Sequence, residues 1–291
     1  MNVVIYHAGC SDGFCAALYF WKFLKDCKFI PLHYGWPVPS DLQPDDIVYL
    51  VDFSFKKPEL YQLSTMVKKV VVLDHHKTAA AELADKVNDN VEIYFDMDRS
   101  GATLAYDYFI AISANCTLGT GHLPSYKKPL LAAYVQDRDL WEFKLPFSKA
   151  ISAYLRSLPL EFNIWNGLEE VLQTEFMVLV FRGESILNFQ QRQIENAANS
   201  AVVVPFPINP EGLTWPAAIV NCPTNQSEVG DALCLDGHCF AVMWFMSKEG
   251  KFVYSLRSRG DFDVSKIAKA FGGGGHKNAA GFTADTLIWI S

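Results

Sequence analysis

One stretch constrains this chain more than any other: Val70-Val71-Val72-Leu73-Asp74-His75-His76-Lys77-Thr78. Four apolar residues, three of them β-branched, are too short a run for a buried helix and read as a buried strand. The strand breaks abruptly into one carboxylate and two imidazoles. Such groups are expensive to bury without partners, so they belong at the exposed end of the strand, in an open cleft that holds a metal ion or a phosphate. An isolated Asp-His-His is more readily read as a polar turn, but here the pattern repeats. Val3-Val4-Ile5-Tyr6 ends in His7, and Ile47-Val48-Tyr49-Leu50-Val51 ends in Asp52. In an open parallel sheet those C-terminal ends face one crevice. Carboxylates converging there repel one another and are driven toward protonation unless a cation neutralises them, so bound metal is the simplest reading.

From residue 1 to about 140 the pattern alternates strand and helix. Gly13 to Lys25 carries Phe14, Ala17, Leu18, Trp21 and Leu24 at helical spacing, a Pro-rich loop runs from Trp36 to Pro44, and a helix starts near Pro58. Val91 to Tyr94 reads as a strand and Ser100-Gly101-Ala102-Thr103 opens a helix whose N-terminus would cap itself or receive a phosphate. Asn115 to Pro124 reads as a loop, followed by a helix from about Pro129 into Val135-Gln136-Asp137-Arg138-Asp139. The alternation predicts an α/β fold with a mainly parallel sheet covered by helices on both faces. Residues 145 to about 200 read as helical. A second series of strands and helices then begins at Val202. The predicted organisation is 1–145 as the first domain, 146–200 as a helical connector, and 201–291 as a smaller C-terminal α/β domain.

With 291 residues, half of them hydrophobic, the chain is long enough for two such cores. Apolar runs such as Phe240 to Met246 fall far short of the roughly 20 residues a membrane span requires. Met1-Asn2 leads directly into a strand without a basic patch or cleavage site, so the expected location is cytoplasmic. Seven cysteines without a Cys-x-x-Cys pair make neither a disulfide framework nor a zinc knuckle. A net charge of −7 argues against coating long duplex nucleic acid, while leaving room for a small anionic substrate held by local cations.

The second strong signal is Phe271-Gly272-Gly273-Gly274-Gly275-His276-Lys277-Asn278-Ala279-Ala280-Gly281-Phe282. Consecutive glycines expose backbone N–H groups and tolerate positive φ, which suits a loop wrapped around an anion. Its setting, between a predicted helix over 264–270 and a strand, is not that of a linker. Residues 251–280 hold six Lys and Arg against two Asp. Taken singly, each of those cations reads as a solvated surface charge. Together they suggest carboxylates that hold metal in the first domain and cations that hold an anion in the second.

These motifs, in this order, resemble the DHH–DHHA1 phosphoesterases, the group that includes nano-RNases, cyclic-dinucleotide phosphodiesterases and the RecJ exonuclease. The resemblance spans nearly the whole chain and rests on His7 with Asp12-Gly13, Asp52, Asp74-His75-His76, Asp137 and the Gly272-to-His276 loop. It implies two divalent ions. His7, Asp12, Asp52, His75 and Asp137 would be their ligands, with Asp52 between the ions and Asp139 a rival to Asp137. Mn²⁺ is the expected ion, with Mg²⁺ or Co²⁺ as alternatives. Asp52, Asp74 and His76 form the implied catalytic set, Asp74 orienting its neighbours and His76 contacting the phosphate or protonating the leaving oxygen. Arg257, Ser258, Gly273, Gly274, Gly275 and His276 would bind the substrate. The implied activity is hydrolysis of short nucleotide phosphodiesters, linear dinucleotides or nano-RNA, to mononucleotides. The rivals are a phosphomonoesterase acting on 3′,5′-bisphosphate nucleotides, a polyphosphatase, and a non-catalytic nucleotide-binding module.

One position departs from the family pattern. Two residues before Asp12-Gly13, where the family usually has Asp, this chain has Cys10. Three readings stay open: a ligand, a bystander whose place water fills, or the mark of a weakly held ion. The bystander is expected, because a thiol is a soft donor and a poor substitute for carboxylate on Mn²⁺. Trp21, Trp141, Trp165, Trp215, Trp244 and Trp289 read as core or rim packing, and His33, His122 and His238 as ordinary surface or hydrogen-bonded histidines.

Overall fold

The three apolar runs form adjacent strands of one parallel sheet in the computed structural model, which describes residues 1–114 and 123–288. His122, Trp289 and most of the predicted 115–124 loop lie outside the described residues.

The first unit, Met1–Leu187, begins β1 (Asn2–His7), α1 (Ser11–Phe23), β2 (Cys27–Leu32), β3 (Ile47–Val51), α2 (Lys57–Met66), β4 (Lys69–Asp74), α3 (Lys77–Glu82) and β5 (Val91–Phe95). It continues through α4 (Gly101–Ser113), α5 (Leu130–Asp139), α6 (Ser148–Ser157), α7 (Phe162–Asn166) and α8 (Leu168–Thr174) into α9 (Phe176–Asn199). Its strand order is β2-β1-β3-β4-β5, every pair parallel. Pro31, opposite Tyr6, is tolerated because β2 is an edge strand, with no partner on its outer side among the described residues.

Side chains alternate between two apolar layers, as a sheet covered on both faces requires. Val4, Tyr6, Tyr49, Val51, Val71 and Leu73 pack against α1, α4 and the helices that follow. Val3, Ile5, Val48, Leu50, Val70 and Val72 pack on the opposite face against Leu60 and Leu63 of α2. The second unit, Asn188–Ser291, contains β6 (Val202–Pro207), β7 (Thr214–Asn221), α10 (Gln226–Leu235), β8 (Phe240–Met246), β9 (Phe252–Ser258), α11 (Val264–Ala270), β10 (Gly274–Gly275) and β11 (Ala279–Ala284). Its six-stranded sheet runs β10-β11-β9-β8-β7-β6 and is antiparallel except for β7 with β8, the pair joined through α10. No helix among the described residues is long and apolar enough to cross a membrane.

The units meet at Leu187 and Asn188, inside α9, rather than at residues 145 and 200. Leu155, Trp165, Leu168, Leu172, Leu179 and Val180 belong to the same core as α1, which is why α6 to α8 are part of the first unit and not a connector. One close approach holds this arrangement together. A Cβ added at Gly183 of α9 would lie 1.9 Å from the carbonyl oxygen of Ala150 in α6. Gly183→Ala is therefore expected to destabilise the first unit by about 2–3 kcal/mol, since neither backbone can yield. Chemical denaturation of the variant beside the parent checks this.

Candidate metal centre

In a sheet of order 2-1-3-4-5 the chain reverses its winding direction between β1 and β3, which opens a crevice at the carboxyl ends of those strands. His7 closes β1, Asp52 follows β3 directly, and Asp74 closes β4 with His75 and His76 just beyond it. The Asp52 carboxylate is 2 % exposed and faces a histidine with each oxygen: Oδ1 is 3.1 Å from His75 Nε2, and Oδ2 is 3.6 Å from His7 Nδ1. Oδ2 is buried and has no hydrogen-bond partner among the described residues. The Asp52 backbone is left-handed, φ 50°, a conformation Asp tolerates better than most residues at a cost of about 1 kcal/mol or more.

Asp12 enters from the first turn of α1. Its Oδ2 accepts the Gly101 N–H at 2.6 Å and its Oδ1 accepts the Ala102 N–H at 3.0 Å, while Oδ2 stands 3.7 Å from His75 Nε2. This carboxylate caps α4, taking the place assigned from the sequence to Ser100 or to a phosphate; Ser100 makes no side-chain cap bond. Gly101 is required at that point, because a Cβ there would lie 2.5 Å from Asp52 Cβ.

The carboxylate that α5 delivers to this cluster is Asp139, not Asp137. Asp139 Oδ2 lies 3.4 Å from His75 Nε2. Asp137 instead accepts the backbone N–H groups of Lys144 at 2.8 Å and Leu145 at 3.1 Å, and its carbonyl accepts those of Glu142 and Phe143. Trp141 and Phe143 in that turn are both left-handed, and the Asp137 bonds stabilise it. The residue predicted as a ligand thus braces the turn that follows α5.

Asp74 is fully buried and organises the Asp-His-His corner. It accepts the Ser54 hydroxyl at 2.5 Å, the His75 N–H at 2.7 Å and the His76 N–H at 3.3 Å, and its Oδ1 pairs with His76 Nδ1 at 2.7 Å. Tyr34, from the loop after β2, brings its hydroxyl to 3.2 Å from the same Nδ1, and its ring stacks on Phe53 at 5.0 Å between centroids. Sequence reasoning missed Tyr34: it belongs to no motif, and only the turn of the loop brings it to the cluster.

The electrostatics follow from four carboxylates and three imidazoles in little solvent. Burial opposes ionisation of Asp52, but the flanking imidazoles of His7 and His75 outweigh it and hold the carboxyl well below the usual range. Burial, then the charges of Asp52 and Asp139, pushes Asp12 up, and burial with Asp52 also raises Asp139. Burial opposes a charged His75, yet the hydrogen bond to Asp52 and the charges of Asp139, Asp52 and Asp12 push it up to about 10. His76 is raised as well, with burial opposing and Asp74 prevailing. The sets of potential ligand atoms that lie within 4.8 Å of one another include His7, Cys10 and Asp52; Asp12, His75 and Asp139; and Asp52, Asp74, His75 and His76. An orphaned buried carboxylate oxygen with N, O and S donors around it fits a divalent ion.

In the second unit, β9 and β11 bring Arg257, Ser258 and the glycine run together, with Arg257 paired to Ala279. Much of the polar capacity expected to meet an anion is engaged in the fold. The Gly272 N–H donates to Lys269, that of Gly273 to Ala268 and that of His276 to Ala279, while Gly274 and Gly275 pair with β11 as strand β10. A Cβ at Gly273 would lie 2.1 Å from the Gly281 carbonyl oxygen, so this glycine serves close backbone packing. The Ser258 hydroxyl donates to the Phe262 carbonyl, and the Arg257 guanidinium donates to the Leu256 carbonyl and the Ser227 hydroxyl. Of the six cations, Arg259, Lys277 and Lys251 form ion pairs with Asp231, Asp261 and Asp285.

The fold and these side chains define an α/β protein of the two-domain phosphoesterase class. The chain belongs to the DHH family: residues 2–135 match its N-terminal domain and residues 235–287 match the DHHA1 domain, together well over half of the sequence. Members of this family are hydrolases, and so is this chain. It is 30 % identical to the uncharacterized protein R106 of Acanthamoeba polyphaga mimivirus, over 97 % of this chain and 67 % of that protein. Among solved structures it is similar to the exonuclease RecJ bound to manganese, with TM-score 0.51, 18 % identity, and coverage of 98 % of this chain and 86 % of that one. It is also similar to RecJ in complex with Mn²⁺ from Thermus thermophilus, with TM-score 0.50, 17 % identity, and coverage of 99 % of this chain and 50 % of that one. Those two likenesses establish the shared fold.

Proposed function

We propose that this protein is a divalent-metal-dependent phosphodiesterase that cleaves linear dinucleotides or nano-RNA to mononucleotides, with Mn²⁺ as the working ion. The observation that carries the reading is the Asp52 carboxylate, buried between His7 on one oxygen and His75 on the other. A carboxylate so placed is suited to be shared by two ions, one beside His7 and one beside Asp12, His75 and Asp139. When bound, they supply Lewis acidity at the phosphoryl oxygens and activation of the attacking water.

The side chains do the rest. Asp74 fixes Nδ1 of His76, which leaves Nε2 as the ring atom to meet the phosphate or protonate the leaving oxygen. Asp74 raises the pKa of His76 against the opposing effect of burial, which favours the protonated ring. The Tyr34 hydroxyl meets that same Nδ1, and its ring packs edge-on against the imidazole at 5.6 Å between centroids. In the second unit we assign anion binding to Arg257 and His276, the guanidinium on β9 beside β11 and the imidazole that ends the glycine run.

The deciding experiment is hydrolysis of a linear dinucleotide, a 3′,5′-bisphosphate nucleotide and polyphosphate by the purified protein with Mn²⁺. Turnover of the dinucleotide ahead of the other two is the expected result. No hydrolysis of any small phosphodiester rejects the proposal. Asp139 and Asp137 divide the α5 contribution. Asp139→Asn is expected to weaken Mn²⁺ binding by about 10- to 100-fold with the melting temperature kept, whereas Asp137→Asn should lower the melting temperature as its turn loosens. Calorimetric Mn²⁺ titration and thermal melts of both variants test that division.

A further inference from the structure

We infer that Cys10 is a metal ligand, and that the position formed by His7, Cys10 and Asp52 selects a borderline divalent ion of the Zn²⁺ class over Mn²⁺. The inference deepens the metal-dependent reading above and rests on it. Placement is the first argument. A thiol used only as filler belongs in an apolar layer, as Cys15 does in the first unit and Cys222 and Cys234 do in the second. Cys10 is in none of the apolar clusters among the described residues. Its sulfur shares a sphere of 4.8 Å with ligand atoms of His7 and Asp52.

The second argument is independent of the cysteine. Asp52 Oδ2, 3.6 Å from His7 Nδ1, is buried and has no hydrogen-bond partner among the described residues, which is costly for a carboxylate oxygen unless a cation meets it. Third, charge is conserved. A coordinating thiol is deprotonated, so Cys10 would bring the same single negative charge as a carboxylate at that place. Only the softness of the donor changes. An N, S, O set suits the four-coordinate geometry of Zn²⁺, whereas the N, O, O set of Asp12, His75 and Asp139 suits Mn²⁺ or Mg²⁺. The centre would then be unlike on its two sides.

Cobalt reports thiolate ligation directly. The full chain, stripped with chelator, is titrated with Co²⁺ and followed by absorption, alongside Cys10→Ser, Cys10→Asp and Cys239→Ser. The inference expects a near-ultraviolet thiolate-to-cobalt band in the parent and in Cys239→Ser, lost in both Cys10 variants, which still show the weaker visible bands of bound Co²⁺. It also expects Cys10→Asp to bind Mn²⁺ at least about tenfold more tightly relative to Zn²⁺ than the parent does. Visible bands without the thiolate band, a thiolate band that survives Cys10→Ser, or an unchanged Mn²⁺ to Zn²⁺ preference overturns the role of Cys10 and leaves the metal-dependent function standing. No cobalt absorption in the parent, with Asp52→Asn identical to it, overturns the metal-dependent function itself.

Discussion

Replacing Asp52 by asparagine is expected to lower kcat/KM for a dinucleotide by at least about a thousandfold and to remove tight Mn²⁺ binding. The substitution preserves shape and the ability to accept a hydrogen bond, so it isolates the loss of charge. That charge matters more at Asp52 than at any other member of the cluster, because one buried carboxylate faces both His7 and His75. Asn also tolerates the left-handed backbone that Asp52 adopts, so the fold should survive. Metal counting after gel filtration, together with single-turnover hydrolysis at saturating Mn²⁺, measures both effects. A variant that retains its ions and its rate would refute the assignment of the centre.

The second large effect concerns the protein freed of metal. With no ion bound, the positive charge demanded by the carboxylates comes from His75 as imidazolium, its pKa raised from 6.5 to about 10. A group raised on folding contributes stability that is fully present below the unfolded value and is lost as pH climbs through the folded one. Stability of the chelated protein should therefore fall between pH 6.5 and about 10. The upper limit is about 5 kcal/mol, set by the free energy equivalent of each pKa unit. Asp12 and Asp139 act in the same direction, since their raised carboxyls also favour the protonated fold. Saturating Mn²⁺ should flatten the trend, because the ion takes over the role of the His75 proton. Thermal melts across this range, with chelator and with Mn²⁺, provide the test; a chelated protein that gains stability toward alkaline pH contradicts it.

The carboxyl-end residues of β1, β3 and β4 were legible because a buried parallel strand has a distinctive apolar run, and a charge after it can only lie at an edge of the sheet. The choice between Asp137 and Asp139 was not legible. Both sit in the last turn of α5, and what separates them is the left-handed course of residues 141–143, which a local pattern does not encode. The glycine run was legible as a special backbone and misread in part. Its amides complete β10 and the end of α11, so close packing with β11 accounts for much of what resembled an anion cradle. The domain boundary shifted for a similar reason: the apolar stripes of α6 to α8 do not reveal which sheet they will cover.

The bond from Asp12 to the first amides of α4 joins residues 89 positions apart in sequence. Closing so long a segment comes after local elements have formed, because its entropic cost must be met by contacts already in place. The side of the cluster built from Asp12, His75 and Asp139 is therefore assembled only once α4 and α5 have docked on the sheet.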